Sequence, residues 1–439
     1  MQRTKNLGVL LPVFSLPNAL PIGDFGAAAY AFIDLLAENR INYWQILPLS
    51  PVSAEYFHSP YSADSSFALS ELYVSPELLG VDCAPSPGVR VDYAKAAELK
   101  NKLLQEAYAK FVPDADFAKF KTEQKFWLGS YTATDYGTFV QYQLYNQWKR
   151  LKDYAKQKGV KIIGDLPLFA ASHSADTRGW QKYFRLNEDG SLSVSAGVPP
   201  DYLNERGQVW NLPLYDWEAL RRDDFGWWRE RIRSALGKYD LIRLDHFRGL
   251  EACYEIPGGD TDGLRGHWVK TPGQELLSAL QKDFPNLPLI AEDLGVITPE
   301  VRQLRQDFKI PGMKVGLIDF MDYPRLRGNS EHNIHQHTAD CVLYSTTHDF
   351  NTVKGWYDAA EQEARDYFRR ETGSAEPQDY LRYWLNSPAE LVIFPAQDIL
   401  GLGAESRINF PGTTGAQNWT WRLSLENMEQ FRKTLAILA

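Results

Sequence analysis

A chain of 439 residues with 44% hydrophobic and 23% charged residues can bury a large core, and no segment is polar enough to read as disordered. Its net charge of −9 argues against nucleic acid or an anionic membrane as partner, because both would repel such a surface. A neutral small molecule or polymer fits better. Cys83, Cys253 and Cys341 are scattered and odd in number, which suggests neither a disulfide framework nor a cysteine zinc site and points to a reducing, cytoplasmic compartment. The thirteen tryptophans either pack the core or stack against the apolar C–H faces of sugars; composition permits both.

The N-terminal stretch begins basic and turns apolar, but Pro12, Pro17 and Pro21 interrupt it, so it reads as a first strand and not a signal peptide. No run approaches the ~18 apolar residues that cross a bilayer. Short apolar runs ending in polar or acidic residues recur at 7–13, 43–47, 161–165, 240–245, 289–292, 313–319, 340–345 and 390–394, giving eight candidate strands. Helical periodicity fills several gaps. Asp24 reads as an N-cap before the stripe Phe25, Ala29, Phe32 and Leu36, and Thr298 caps a helix with Pro299 at its first position. Strands alternating with helices predict a parallel sheet, and eight predict closure into one (β/α)8 TIM barrel over residues 1–439. Two gaps exceed a single helix. Residues of about 50–159, after strand two, and 167–237, after strand three, are expected to hold inserted, mainly helical subdomains in the βα loops.

Catalytic side chains of such barrels come from the C-terminal strand ends, where the βα loops converge. Asp245 closes LIRLD, Glu292 closes LPLIAE and Asp349 follows VLYSTTH, placing three acids on strands four, five and seven around one mouth. Glycoside chemistry wants two carboxylates flanking the anomeric carbon, one ionised to attack and one protonated to release the leaving oxygen. Like charges at short range cannot all ionise, so the best-shielded group keeps its proton. One strand-end Asp could be a helix cap or half an ion pair; three in this order fit that explanation poorly. Other signals read more plainly. His332, His335 and His337 could attract a divalent metal but read as a polar loop between strands six and seven, so no metal is expected. GLGAES at 401–406 reads as a turn after strand eight, with no nucleotide or other cofactor implied, and RERIRSALGK at 229–238 as the solvated face of a barrel helix.

The segments RLDHFRG (243–249), AEDLGVITPEV (291–301) and THD (347–349) resemble the nucleophile, acid/base and third-acid motifs of glycoside hydrolase family 77, the amylomaltases or 4-α-glucanotransferases. SLPNALPIGDFG, YWQILPLSP, SPY at 59–61, IIGDLPLF, AGVPPDY, PGMKV, QDILGLG and RINFPGT follow the same family's order over nearly the whole chain. The resemblance implies retaining transfer of α-1,4-glucan segments to the 4-hydroxyl of an acceptor, with Asp245 as nucleophile, Glu292 as acid/base and Asp349 gripping the transferred sugar. It makes Tyr61, by stacking, and His348 contacts to that sugar, and Asp201, Ser59 and Asn409 hydroxyl-binding groups. Arg243, two residues before Asp245 and so on the same strand face, can hold that carboxylate ionised. His246, next in sequence to Asp245, should face away from it. Expected partners are maltooligosaccharides, starch- or glycogen-type α-glucans, and glucose as acceptor. The chain departs from the family pattern at Phe350 and His58, in WNLPLY (210–215), and in an apparently shortened helical subdomain after WLGSYTAT (127–134). An α-glucan hydrolase of the α-amylase type and a non-catalytic glucan-binding protein are the alternatives. A buried like-charge cluster costs stability and gives a binding module nothing, which argues against the second.

Overall fold

The computed structural model describes residues 5–85, 88–200 and 204–438. In chain order its strands are β1 (Asn6–Leu10), β2 (Tyr43–Gln45), β3 (Lys161–Leu166), β4 (Val194–Val198), β5 (Gln208–Pro213) and β6 (Leu241–Leu244). They continue with β7 (Ala252–Pro257), β8 (His267–Lys270), β9 (Leu289–Ala291), β10 (Gly312–Val315), β11 (Cys341–Tyr344) and β12 (Leu391–Pro395). Eight of these close into a barrel of order β1-β12-β11-β10-β9-β6-β3-β2, parallel throughout. Each coincides with one of the eight apolar runs, because strands covered on both faces by barrel filling and helices must be apolar along their length. Among the described residues, no helix is long and apolar enough to cross a membrane.

The run at 313–319 divides: β10 ends at Val315 and helix Gly316–Met321 takes the rest. Leu317 and Phe320 are three apart and both buried, a spacing that suits a helix face. Asp319 therefore leaves the barrel mouth and accepts hydrogen bonds from Asn333 (3.0 Å) and Tyr367 (2.9 Å).

The first insertion is helical. Helices Tyr93–Ala109, Ala115–Glu123 and Asp135–Gln157 are each opened by a side-chain cap, from Asp92, Asp114 and Thr134. Two amides on the longest helix fix the loop that follows β2. Gln141 bonds both the N–H and the carbonyl of Leu69, and Gln147 does the same at Ser75. The stretch 167–237 holds the helices Ala175–Gly179 and Trp217–Arg222 and most of Gly226–Lys238, together with strands. It contributes β4 and β5 to an antiparallel sheet of order β5-β4-β7-β8, whose other two strands follow β6. β4 with β5 and β7 with β8 pair as consecutive strands, but Val194 pairs with Pro257, far along the chain, so the step that joins the two pairs leaves no local signature.

Two further expectations change. Helix Gly226–Lys238 does not present RERIRSALGK wholly to solvent, since Arg231 is buried and donates to the carbonyls of Pro167 and Leu168, just beyond β3. Asp24 is not the N-cap of helix Ala27–Glu38, which starts from Gly26 without a side-chain cap. Asp24 instead accepts from the Gly26 N–H (3.0 Å) and pairs with Lys100 (2.6 Å), whose ammonium also reaches the Val74 carbonyl (2.6 Å). Both side chains are almost wholly buried, so removing one leaves an uncompensated charge inside. Lys100→Met should cost about 3–5 kcal/mol in urea unfolding. Asp24→Asn combined with Lys100→Met should lose clearly less than that.

Candidate active site

The register of the barrel sets the core of the site. Asp165 at the end of β3 lies opposite Arg243 on β6, and Arg243 is buried with it. One guanidinium nitrogen, Arg243 Nη1, donates to both Asp165 oxygens (2.9 and 2.8 Å) and pairs with Asp245 Oδ1 at 2.9 Å. Arg243 thus bridges two carboxylates through a single nitrogen and does not clasp one with its fork. Asp245 follows β6 directly, and its amide N–H donates to the Leu166 carbonyl (3.0 Å), which ties it to the end of β3.

Glu292 leaves the end of β9 on the neighbouring side. Its backbone is pinned to Leu244 and Phe247, and its side chain accepts backbone N–H bonds from His246 to Oε2 (2.8 Å) and from Leu294 to Oε1 (3.2 Å). Burial, reinforced by the negative charge of Asp245, pushes the Glu292 carboxyl up to about 8. It holds a proton at neutral pH.

The third acid behaves in the opposite way. Burial alone would raise Asp349, but His348 beside it, the Asn409 amide and the charge of Arg243 outweigh that and hold its carboxyl well below the usual range. Asn409 Nδ2 donates to Asp349 Oδ1 (2.7 Å), and His348 Nε2 lies 3.1 Å from Oδ2. The Tyr61 hydroxyl donates to Asp165 Oδ2 (2.9 Å) and meets His348 Nε2 at 2.7 Å, with its ring stacked on the imidazole. One continuous chain of polar contacts therefore runs from Asp245 through Arg243, Asp165, Tyr61 and His348 to Asp349.

Above this network opens a cleft of about 490 Å³ whose lining includes Ser59, Tyr61, Asp245, Asp349 and Asn409. Five of the residues expected from sequence thus share one cavity; Arg243, His348 and Glu292 are not on its lining but touch residues that are, Arg243 at Asp245, His348 at Tyr61 and Asp349, and Glu292 at the His246 N–H. Asp201 falls outside the described residues. His246 does not turn away: its ring lines the same cleft, edge-on to Trp210 at 4.9 Å. Strand geometry ends at Leu244, and His246 adopts a left-handed conformation (φ 53°), so the alternation of a strand no longer applies. Burial pushes this ring down to about 4, and it stays neutral. Phe350 is half-buried against the core, and His58 stacks on Tyr93 at 4.0 Å, so both departures from the motif pattern are absorbed by packing.

Sequence reasoning missed Asp165, although it ends an apolar run as the recognised acids do. It also missed Trp210, Phe169 and the stacked pair Tyr56–His173 (3.7 Å, 6°), all on the cleft wall. His332, His335 and His337 do fall in the loop between β10 and β11. His332 accepts from the Val315 N–H (3.2 Å), and His337 contacts Ser387 (2.8 Å) and the His332 carbonyl (3.1 Å). Among the described residues, no group of three or more His, Cys, Asp or Glu is placed to hold a metal ion.

A closed parallel barrel that gathers carboxylates of opposed proton affinity beneath an aromatic cleft defines a barrel enzyme of glycosidic-bond chemistry. The sequence model of glycoside hydrolase family 77, described as 4-alpha-glucanotransferase, matches residues 11–136 and 131–427, and the chain belongs to that family. Its activity is 4-α-glucan transfer. The two matched stretches meet at 131–136, where the sequence reads as a shortened helical subdomain. A 4-alpha-glucanotransferase of Aquifex aeolicus is 36% identical over 98% of this chain and 98% of its own. That of Thermus thermophilus is 35% identical over 96% and 95%. Among solved structures, an amylomaltase from Streptococcus agalactiae in complex with acarbose superposes with a TM-score of 0.92 at 30% identity, covering 99% of this chain and 98% of that one. An α-amylase from Lactobacillus plantarum, at TM-score 0.51 and 13% identity over 99% and 80%, shares the fold alone.

The proton on Glu292 has a consequence for stability. The folded protein holds it more tightly than the unfolded chain, so between pH 4.5 and about 8 unfolding releases it and stability falls as pH rises. Glu292→Gln should therefore stabilise the fold at pH 8 by about 1 kcal/mol or more relative to the native residue. The gain should shrink towards pH 5. Thermal unfolding of both proteins at the two pH values reads this directly.

Proposed function

We propose that the chain transfers α-1,4-glucan segments with retention in two steps, with Asp245 as nucleophile and Glu292 as acid and then base. The observation that carries this reading is the division of protons. Glu292 is pushed to about 8 by burial and by the negative charge of Asp245, so it can donate, while Asp245 itself is paired with Arg243 Nη1 at 2.9 Å. In the first step Asp245 attacks the anomeric carbon as Glu292 gives its proton to the departing glucosidic oxygen, leaving a glycosyl ester on Asp245. In the second, the ionised Glu292 takes a proton from the incoming 4-hydroxyl, and that oxygen displaces Asp245. Arg243 Nη1 pairs with the nucleophile at 2.9 Å and complements its charge. Asp349, set by His348 and Asn409, grips hydroxyls of the transferred sugar, Tyr61 offers its ring as a floor, and Ser59 a further polar contact.

Transfer competes with hydrolysis for the same ester, and the cleft favours transfer. The rings of Trp210, Phe169, Tyr56 and His173 give an acceptor sugar apolar surface to cover, and a sugar stacked there excludes water. Donors are then maltooligosaccharides or starch- and glycogen-type glucans, and acceptors are glucans or glucose, handled in the cytoplasm. The carboxylates and Arg243 supply the charge complementarity, so exhaustive EDTA treatment should leave activity unchanged.

Incubation with maltotriose should give glucose together with oligomers longer than the substrate. Products that are only shorter would establish the hydrolase. For the mechanism, Glu292→Gln should be nearly inactive on maltooligosaccharides, since general acid–base catalysis contributes roughly 10²–10⁴-fold. An α-maltosyl fluoride leaves without acid help, so this variant should accumulate the ester. Intact-protein mass spectrometry should show the added glycosyl mass, and proteolysis should place it on the peptide containing RLDHFRG. An adduct on another carboxylate, or one that also forms in Asp245→Asn, overturns the assignment.

A further inference from the structure

The segment QDILGLG matches its family motif, yet none of its residues enters the cleft described above. Two of them reach the site from behind. Asp398, in helix Ala396–Leu400 after β12, accepts from the hydroxyls of Ser345 (2.6 Å) and Thr346 (2.6 Å) and from the Val353 N–H (2.9 Å). It fixes the backbone on both sides of His348. Its neighbour Gln397 is also buried; the amide nitrogen donates to the Ser406 carbonyl (3.2 Å), while Oε1 is buried without a protein partner.

His348 poses a complementary problem. Tyr61 has one hydroxyl proton, and it points to Asp165 at 2.9 Å, so towards His348 the tyrosine oxygen can only accept. Asp349, the other neighbour of Nε2, is held ionised and can only accept as well. Nε2 therefore carries a proton, and in the neutral ring Nδ1 does not. That leaves Nδ1 facing the other way, buried and without a protein partner. Arg407 completes the picture: one terminal nitrogen donates to the Asp349 carbonyl (3.1 Å), and its Nε–H is buried and unpartnered.

His348, Gln397 and Arg407 line one small cavity, with about 10 Å³ open to the centre of a water-sized sphere. That is room for one molecule, and two to four polar partners are what a buried water requires. We propose that this cavity is a binding site for a single structural water, and that Gln397 is a positioning residue which holds His348 as its Nε2–H tautomer through that water. The water accepts from Arg407 Nε–H and donates one proton to Gln397 Oε1 and the other to His348 Nδ1. Each orphaned atom gains a partner of the right polarity. Reversing the tautomer would put two donors on the water from His348 and Arg407, strand one of its own protons, and leave bare Nε2 against an ionised carboxylate. The Gln397 carbonyl thus determines, two bonds removed, which nitrogen of His348 faces the substrate side. This rests on the reading of Asp349 and His348 as sugar-gripping groups only for its kinetic consequence.

The first two tests need no activity. A crystal structure at a resolution that shows ordered water should place one water within hydrogen-bonding distance of His348 Nδ1, Gln397 Oε1 and Arg407 Nε; an empty cavity there overturns the proposal. In nitrogen-15 histidine spectra, assigned with a His348→Gln control, His348 should appear as the Nε2–H tautomer, and its Nδ1 signal should move in Gln397→Met. An Nδ1–H tautomer in the native protein, or an unmoved signal in the variant, overturns it. Kinetics then separate positioning from simple packing. Gln397→Met and Gln397→Glu both lose the bond to Ser406, but only the first loses the acceptor. Gln397→Met should lower kcat about 10-fold with KM within about 2-fold, a smaller loss than the ~10²-fold that a full 1 Å misplacement can cost. Gln397→Glu should keep most of kcat, whereas an equal loss in both variants would reduce Gln397 to its Ser406 contact and overturn the role. Failure of these tests leaves the trapped ester on Asp245 untouched, so the two readings fall separately.

Discussion

A single buried guanidinium makes the site possible. Asp165, Asp245 and Glu292 crowd the end of three adjacent strands, where low dielectric forbids three bare charges. Arg243 Nη1 contacts Asp165 and Asp245, while burial pushes the carboxyls of both Asp165 and Glu292 up, Glu292 to about 8. The same contact depends on the barrel's register, which sets Asp165 opposite Arg243. A slip of one residue between β3 and β6 would put Asp165 and Arg243 on opposite faces of the sheet and leave their charges unpaired. Chemistry and fold are therefore one constraint here.

What lies on this frame was legible to different degrees. The eight barrel strands could be read because burial on both faces makes each a short continuous apolar run, and the acids at their ends stood out against it. The family motifs then carried the roles. The antiparallel sheet of β4, β5, β7 and β8 was not read: its two consecutive pairs are joined only through β4 and β7, which come from separate loops, and that pairing is decided by what each strand meets in three dimensions. Asp24 looked like a cap because caps are local, whereas its true partner Lys100 lies on a helix of the first insertion. Asp165 carried the same signal as the recognised acids but points to Arg243 and Tyr61, and a contact between strands three and four cannot be inferred from either strand alone.

The aromatic richness of the chain resolves into two populations. Trp44, Trp148, Trp227, Trp228 and Trp384 are among the largest fully buried side chains and serve the core. Trp210 and Trp419 line the cleft, the first braced by His246 and the second beside Tyr61. Composition alone permitted both uses; position divides them, with Trp210 on β5 and Trp419 lining the cleft, and the core rings on β2 and on helices.

Closure of the barrel joins the earliest and latest parts of the sequence, with Asn6 registered against Leu391. Beyond that seam, Arg422 donates to the carbonyls of Leu16 and Leu20, Leu423 to Ser15, and the Ser15 hydroxyl to Trp421. During synthesis on the ribosome, β1 can pair with β2 as soon as both emerge, but its other edge has no partner until nearly the entire chain has been made. An unpaired strand edge is a template for association with other nascent chains. Until β12 is made, β1 therefore presents one unpaired edge that only the late-made strand can cover.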